Sequence, residues 1–463
     1  MQNSNVFQLI QSFTALEQKH ARRFLESPYF NLRADLVQLF DCLCATQMPD
    51  KNEIWVALFP TAPFDDTQFR LLLSYLNQLL ENFLLVEGLD SKSQAGRLEL
   101  ARIYRQRGLV RHYERQINQI GRELTSQPLR NAQHHNMQRD FHLEQYNTQL
   151  TLNPTNSESI RVLAWHTDMA YLLHRLRLIC LELAQKNVYR ASEDHSVNLS
   201  VIRLAERAEW ADSPGIALYL AASRLLSYPE DVQHYSVFMQ LLPEQERYFS
   251  PEEMREFYMF AINHCIRQTN RGQQHLEQEM LRLYRRALEA GYLFENGILS
   301  RFTYHNIVAA GLRCGELDWV GKFIPDYNVY LEPMYRNSAL SFNQARLDYA
   351  RNQYDSVLLL LQKANYNDPL LNLAAKTLLL KTYFVLQEFD LLQSHLDAMR
   401  NYIHRKKVIG YHRKNFLNII RFTERISNLA GLDRQARAQI RQQIRDEPVL
   451  TEKEWLLECL VLN

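Results

Sequence analysis

The residues closest to a metal-binding pattern are His134, His135, His142 and Glu144. A metal site wants donors on one helical face, as at i and i+4, with a third from elsewhere. These spacings do not give it, and the three read as loop histidines with no ligand role. Six cysteines (Cys42, Cys44, Cys180, Cys265, Cys314 and Cys459) are scattered, with no Cys-x-x-Cys pair. Each lies in an apolar helical context, where a buried inert thiol is the usual case. Cys42 and Cys44 stand too close for a disulfide on one helix. The thirteen glycines never close a phosphate-cradling spacing, and no G-x-S-x-G elbow occurs. Carboxylates concentrate at helix starts, where capping explains them. No catalytic residue, metal ligand or cofactor is assigned, and the chain reads as a non-enzyme.

What remains is recognition chemistry. Arg97, Arg102, Arg105, Arg107, Arg111, Arg115 and Arg122 are interleaved with Tyr104 and Tyr113, as in a nucleic-acid-binding strip. Glu99, Glu114 and Glu123 sit among them, which favours a solvated helix face. A second basic stretch runs from His404-Arg405-Lys406-Lys407 through His412-Arg413-Lys414 to Arg434, Arg437, Arg441 and Arg445. The last four share a helix face, but Asp433, Asp446 and Glu447 flank them, and the solvated reading again leads. Nucleic-acid binding through 97–122 or 404–445 is therefore the alternative function.

These residues need elements to hold them. Hydrophobic residues are 46% and charged ones 23%, ordinary for a globular protein, and 463 residues suffice for an extensive core. Only 13 Gly and 14 Pro are present. Sheets joined by tight turns need more, so long helices with short connections are predicted. A net charge of +1 creates no global field for nucleic acid or membrane. No apolar run approaches the ~20 residues of a membrane span. The opening MQNSNVFQLIQSF lacks a basic segment before an apolar run and is not read as a secretory signal. Scattered cysteines suit a reducing compartment, so the expected location is cytoplasmic.

Four regions are expected. In 1–90, Phe7, Ile10, Phe13, Leu16 and Phe24 keep helical spacing, and Asp50-Lys-Asn-Glu53 reads as a capping box. Asp65 caps a helix carrying Phe69, Leu72, Leu76, Leu80 and Phe83. This pair reads as a bundle rather than a DNA-binding helix-turn-helix, whose recognition helix would expose basic and amide residues. Region 91–195 holds long helices, one over 157–187, and Ser192-Glu193-Asp194-His195 is the expected boundary. Region 196–430 is a run of hairpins, with Ser213-Pro214 and Ser250-Pro251-Glu252-Glu253 as helix starts. Region 431–463 caps the array. Its last helix, TEKEWLLECLVL, is apolar nearly all round and is expected to seal the end.

The hairpin signal is strongest over 338–403. Tyr354 follows the turn Asn352-Gln353, with Val357, Leu361 and Ala364 at helical spacing and Asp368-Pro369 as stop and next cap. Phe389 recurs 35 residues on, followed by Leu392, Leu396 and Met399. Gly315-Glu316-Leu317-Asp318 offers a third turn, followed by Val320 and Ile324. One hairpin cannot bury its own apolar face, so such a period marks stacked units.

Ala345, Tyr354, Ala364 and Pro369 give this stretch, roughly 300–403, a pattern that resembles the tetratricopeptide repeat. Separately, Ser27-Pro28-Tyr29-Phe30-Asn31, with Lys19, Arg22 and Arg23 before it, is similar to the start of an uncharacterised bacterial helical family; that likeness carries no function. The repeat resemblance implies an all-α, right-handed α-solenoid of stacked hairpins behind an N-terminal helical bundle. It also implies that each hairpin's first helix lines a concave groove. Aligning the turns places His305, Asn306, Arg313, Asn343, Arg346, Tyr349 and Lys381 on that face. Asn306 and Asn343 fall at one register position and could hold a peptide backbone. Arg and Lys would add charge-assisted bonds to a carboxylate. The expected function is a cytoplasmic scaffold binding a protein or peptide, an acidic segment or a free C-terminus, in this groove.

Overall fold

A computed structural model of the chain describes residues 4–46, 48–88, 93–152, 157–189, 196–211, 213–362, 366, 368–406, 410–428 and 434–462. The expected region boundaries at 90/91, 195/196 and 430/431 fall on or against residues outside this set. So do Ala364, Lys407, Asp433 and the polar break 192–195. About 81% of the chain is helix, and the described sheet is one antiparallel pair, β1 (Phe294–Glu295) with β2 (Ile298–Leu299). The fold is all-α, as the scarcity of Gly and Pro predicts. The chain divides into two compact units, Met1–Tyr171 and Leu172–Asn463.

In the first unit α1 (Asn5–Ser12), α2 (Ala15–Glu26), α3 (Ala34–Ala45), α4 (Lys51–Leu58) and α5 (Asp66–Gly88) share one core. Thr14 and Glu17 close a reciprocal capping box at α2. The Asp50 side chain caps α4 by accepting from Asn52 N and Glu53 N, and Asp65 does the same for α5. Phe69, Leu72, Leu76, Leu80 and Phe83 bury one face of α5 against α1, α2 and α3. Each buried side chain of this size contributes about 1.5–3 kcal/mol. Next come α6 (Gln94–Gln106), α7 (Val110–Ser126) and α8 (Ala132–Leu152), packed mutually around Ile117, Ile120, Leu124 and Phe141. The boundary between the units falls inside α9 (Ser157–Tyr189).

The second unit continues with α10 (Ser196–Ala205), α11 (Ala208–Ala211), α12 (Pro214–Ser227), α13 (Val232–Gln245), α14 (Pro251–Thr269) and α15 (Leu276–Glu289). Then follow α16 (Arg301–Arg313), α17 (Leu317–Asn328), α18 (Pro333–Ala350), α19 (Tyr354–Leu361), α20 (Pro369–Val385) and α21 (Phe389–Arg405). The chain closes with α22 (Gly410–Ser427), α23 (Arg434–Asp446) and α24 (Lys453–Leu462). From α12 to α22 each helix packs on its sequence neighbour, and α16–α18 and α18–α20 also touch. Ser250 and Glu253 form a full capping box at α14, and Asp368 caps α20 through Leu370 N and Leu371 N.

Three turns share one design. Gly315, Asn352 and Gln387 take positive φ (73°, 60° and 60°) at the ends of α16, α18 and α20. Each helix is closed by the bond from three residues past its end back to its last turn: Glu316 N to Gly311 O, Gln353 N to Asp348 O, Glu388 N to Tyr383 O. Tyr354 and Phe389 then begin the second helices. The sequence register places Tyr354 in the core, but the ring is only half-buried. It meets Tyr349 edge-on at 5.5 Å, and its hydroxyl donates to Asn352 Oδ1 at 2.8 Å. Phe389 is 41% exposed. A residue at the first position of a helix stands beside the turn, and the core contacts fall to Val357 and Leu361, one and two turns later.

Candidate functional site

Among the groove residues, α16 positions His305, Asn306 and Arg313, α18 positions Asn343, Arg346 and Tyr349, and α20 positions Lys381. Arg346 and Lys381 hold the same register, six residues before Asn352 and Gln387. Around them Asn343, His305 and Arg346 are bonded together. Asn343 is fully buried; its amide donates to Ala339 O and faces His305 Nδ1, both at 2.8 Å. Arg346 Nη1 donates to His305 O at 3.1 Å and Asn343 Oδ1 at 3.3 Å. Burial, with a smaller contribution from nearby Arg313, pushes the Arg346 guanidinium down to about 10. Burial also holds His305 down, to about 4, so its ring is neutral at pH 7.

The two asparagines part company. Asn306 is exposed, whereas Asn343 has spent both donors and its acceptor on its neighbours. One register position thus carries a solvent-facing residue in α16 and an internal brace in α18. The structure does not offer Asn343 to a ligand backbone.

The cations differ in what they hold. Arg313 Nε lies 3.8 Å from Glu277 Oε1. Lys381 Nζ lies 3.0 Å from Glu452 Oε2, just ahead of α24, and over the rings of Tyr349 and Trp455 at 5.4 and 5.5 Å. Arg346, half-buried, has no carboxylate within ion-pair distance among the described residues, although the charge of Glu452 acts on it from further off. Trp455 meets Phe384 edge-on at 5.6 Å, and Leu456, Cys459 and Leu460 are buried with it. The last helix therefore packs intramolecularly, and it covers the Lys381 end of the row.

The histidines His134, His135 and His142 lie on α8 rather than in a loop, because the Asn131 side chain caps that helix by accepting from His134 N at 3.0 Å. His135 Nδ1 lies 3.0 Å from His166 Nδ1, and His142 stacks on His166 with centroids 5.3 Å apart. Burial, reinforced by neighbouring cationic character, pushes His134 to about 4, His135 to about 3 and His166 to about 4. Glu144 is buried and held by Arg105 at 2.6 Å, with Arg102 at 3.6 Å. No group of histidines, cysteines and carboxylates among the described residues is arranged to hold a metal ion. All six cysteines are free, and burial pushes the Cys44 and Cys265 thiols up to about 11.

The basic stretches are partly spoken for. Arg97 pairs with Glu123, and Arg102 and Arg105 serve Glu144. Lys414 and Arg421 share Glu447 at 3.4 and 3.2 Å. Arg107, Arg111 and Arg115 are exposed, as are Arg441 and Arg445. No helix among the described residues is long and apolar enough to cross a membrane.

No family model, curated protein or solved structure matches the chain.

Proposed function

We propose that this chain is a non-catalytic cytoplasmic scaffold. Its hairpins stack as a right-handed α-solenoid of tetratricopeptide-like units, and the α16–α18–α20 face binds an acidic protein segment. The observation that carries the reading is Arg346. A desolvated guanidinium with no carboxylate at ion-pair distance, favoured only by the more distant charge of Glu452, is unfavourable, and a carboxylate supplied by a partner relieves it. On the same register Lys381 already holds a carboxylate, that of Glu452. The nucleic-acid reading draws on fewer cations, since Arg97, Arg102 and Arg105 are tied to carboxylates of the chain itself.

The test is recovery of bound proteins from native lysate on immobilised wild type and Arg346→Gln, read by mass spectrometry. Glutamine keeps a donor for His305 O while removing the charge. Loss of a hydrogen-bonded buried charge pair weakens binding by about 2–5 kcal/mol. We expect one or more specific partners to disappear from the variant at unchanged unfolding midpoint. Equal recovery of every partner by the folded variant would end the reading.

A further inference from the structure

A cavity of about 710 Å³ opens on the same three helices, lined among others by Phe302 and His305 of α16, Tyr335, Ser338 and Phe342 of α18, and Ala374 of α20. Its volume falls in the range of ligand-binding clefts and exceeds what one side chain fills. Its rim is apolar and open, with Phe302 61% and Met334 71% exposed. The charges at its mouth cancel. Arg301 lies 3.3 Å from Asp368 and is stacked on Tyr335 at 4.0 Å. This mouth therefore does not choose an anion, but Arg346 does.

Cavity and cation share walls. Phe342 lines the cavity, and the Arg346 guanidinium carbon lies 5.6 Å from the centroid of its ring. His305 also lines the cavity, and its carbonyl accepts from Arg346. The thickness of one phenyl ring thus separates a carboxylate-seeking charge from an apolar void. The chain holds such a combination one register further on. There Glu452 sits on Lys381, and Trp455, three residues later, lies beside the same lysine and against Phe384.

We infer that the segment bound here carries a carboxylate and a bulky apolar side chain about one helical turn apart. The carboxylate sits on Arg346 and the apolar group enters the cavity beside Phe342. Side chains three or four apart on a helix stand about 5–6 Å from each other, which matches the shared wall. This inference rests on Arg346 being the carboxylate position.

Three fluorescein-labelled, alanine-based peptides serve as probes: one with Glu and Trp four residues apart, one with Glu alone, one with Trp alone. Anisotropy against the full chain should show the first binding at least ~10-fold tighter than either of the others. Arg346→Gln should remove the advantage conferred by Glu and leave that conferred by Trp. Ala374→Phe, or Ser338→Phe where the first fails to fold, puts a ring into the part of the cavity beside Phe342 and should remove the advantage of Trp alone. An advantage of Trp that survives both filling variants at wild-type unfolding midpoints overturns the cavity assignment, with the groove reading intact. Equal binding of all three peptides by wild type and Arg346→Gln overturns the carboxylate position itself. No binding of the paired peptide overturns the inference, while partner recovery from lysate still decides the groove reading.

Discussion

The Nδ1 atoms of His135 and His166, 3.0 Å apart, can bond only if one donates and the other accepts, so at most one ring is charged. His134 and His142 crowd the same rings, and Glu144, on the same helix as His142, is engaged by Arg102 and Arg105. Burial thus keeps His134, His135 and His166 at about 4, about 3 and about 4, against 6.5 in the unfolded chain. The sign follows. Below pH 6.5 the unfolded chain takes up protons that the folded one refuses, so this stability is complete above pH 6.5 and is lost as pH falls towards 4. Shifts of this size correspond to a loss on the order of 3 kcal/mol, the coupled rings not adding fully. Urea midpoints at pH 7 and pH 4.5 should show it, and His166→Phe should flatten the dependence. An equal pH slope in wild type and variant would show that the cluster is not its source. The helix start was written in the sequence, since Asn131 is a strong cap residue three positions before His134. The cluster was not, because its organising ring, His166, comes from another helix 31 residues after His135.

At the level of elements the repeating unit is a helix, a left-handed turn residue and a second helix. Gly315 announces that turn in the sequence; Asn352 and Gln387 hide it, because a side chain in this region is uncommon, Gln more so than Asn. What made the later turns legible was the spacing of Tyr354 and Phe389, although both rings sit beside the turn rather than in the core. Gln387→Gly should therefore stabilise the chain by about 0.5–1 kcal/mol, the left-handed strain relieved less the flexibility gained by the unfolded state. Gly311 argues the opposite way. It lies within α16, where Ala would ordinarily be the better residue, yet an added Cβ would strike Val320 Cγ2 of α17. Gly311→Ala should destabilise by about 1–3 kcal/mol, the usual range for overpacking. Denaturant midpoints read both changes. If the two substitutions shift stability in the same direction, the turn register or the α16–α17 approach described here is wrong.

For the whole molecule, the division into two compact units makes a claim about which regions loosen together. Trp455 is the best handle. An apolar last helix was legible as a seal, but its anchors were not, since Lys381 and Glu452 are 71 residues apart. In place, Trp455 is 8% exposed between Lys381 and Phe384, with Leu456, Cys459 and Leu460 buried beside it. Trp455→Ala empties a large aromatic site and should cost about 3–5 kcal/mol. The last helix shares its core with α18, α20 and α22, so the loosening should begin there. Amide hydrogen exchange followed by mass spectrometry locates it, because regional openings report their own free energies. Exchange should quicken over 333–462 in the variant and stay at the wild-type rate over 5–88, where the core of Phe69, Leu76 and Phe83 is untouched. Faster exchange over 5–88 to the same degree would mean that the units open as one cooperative block. Unchanged exchange over 333–462 would mean that the last helix does not secure the hairpins it packs against.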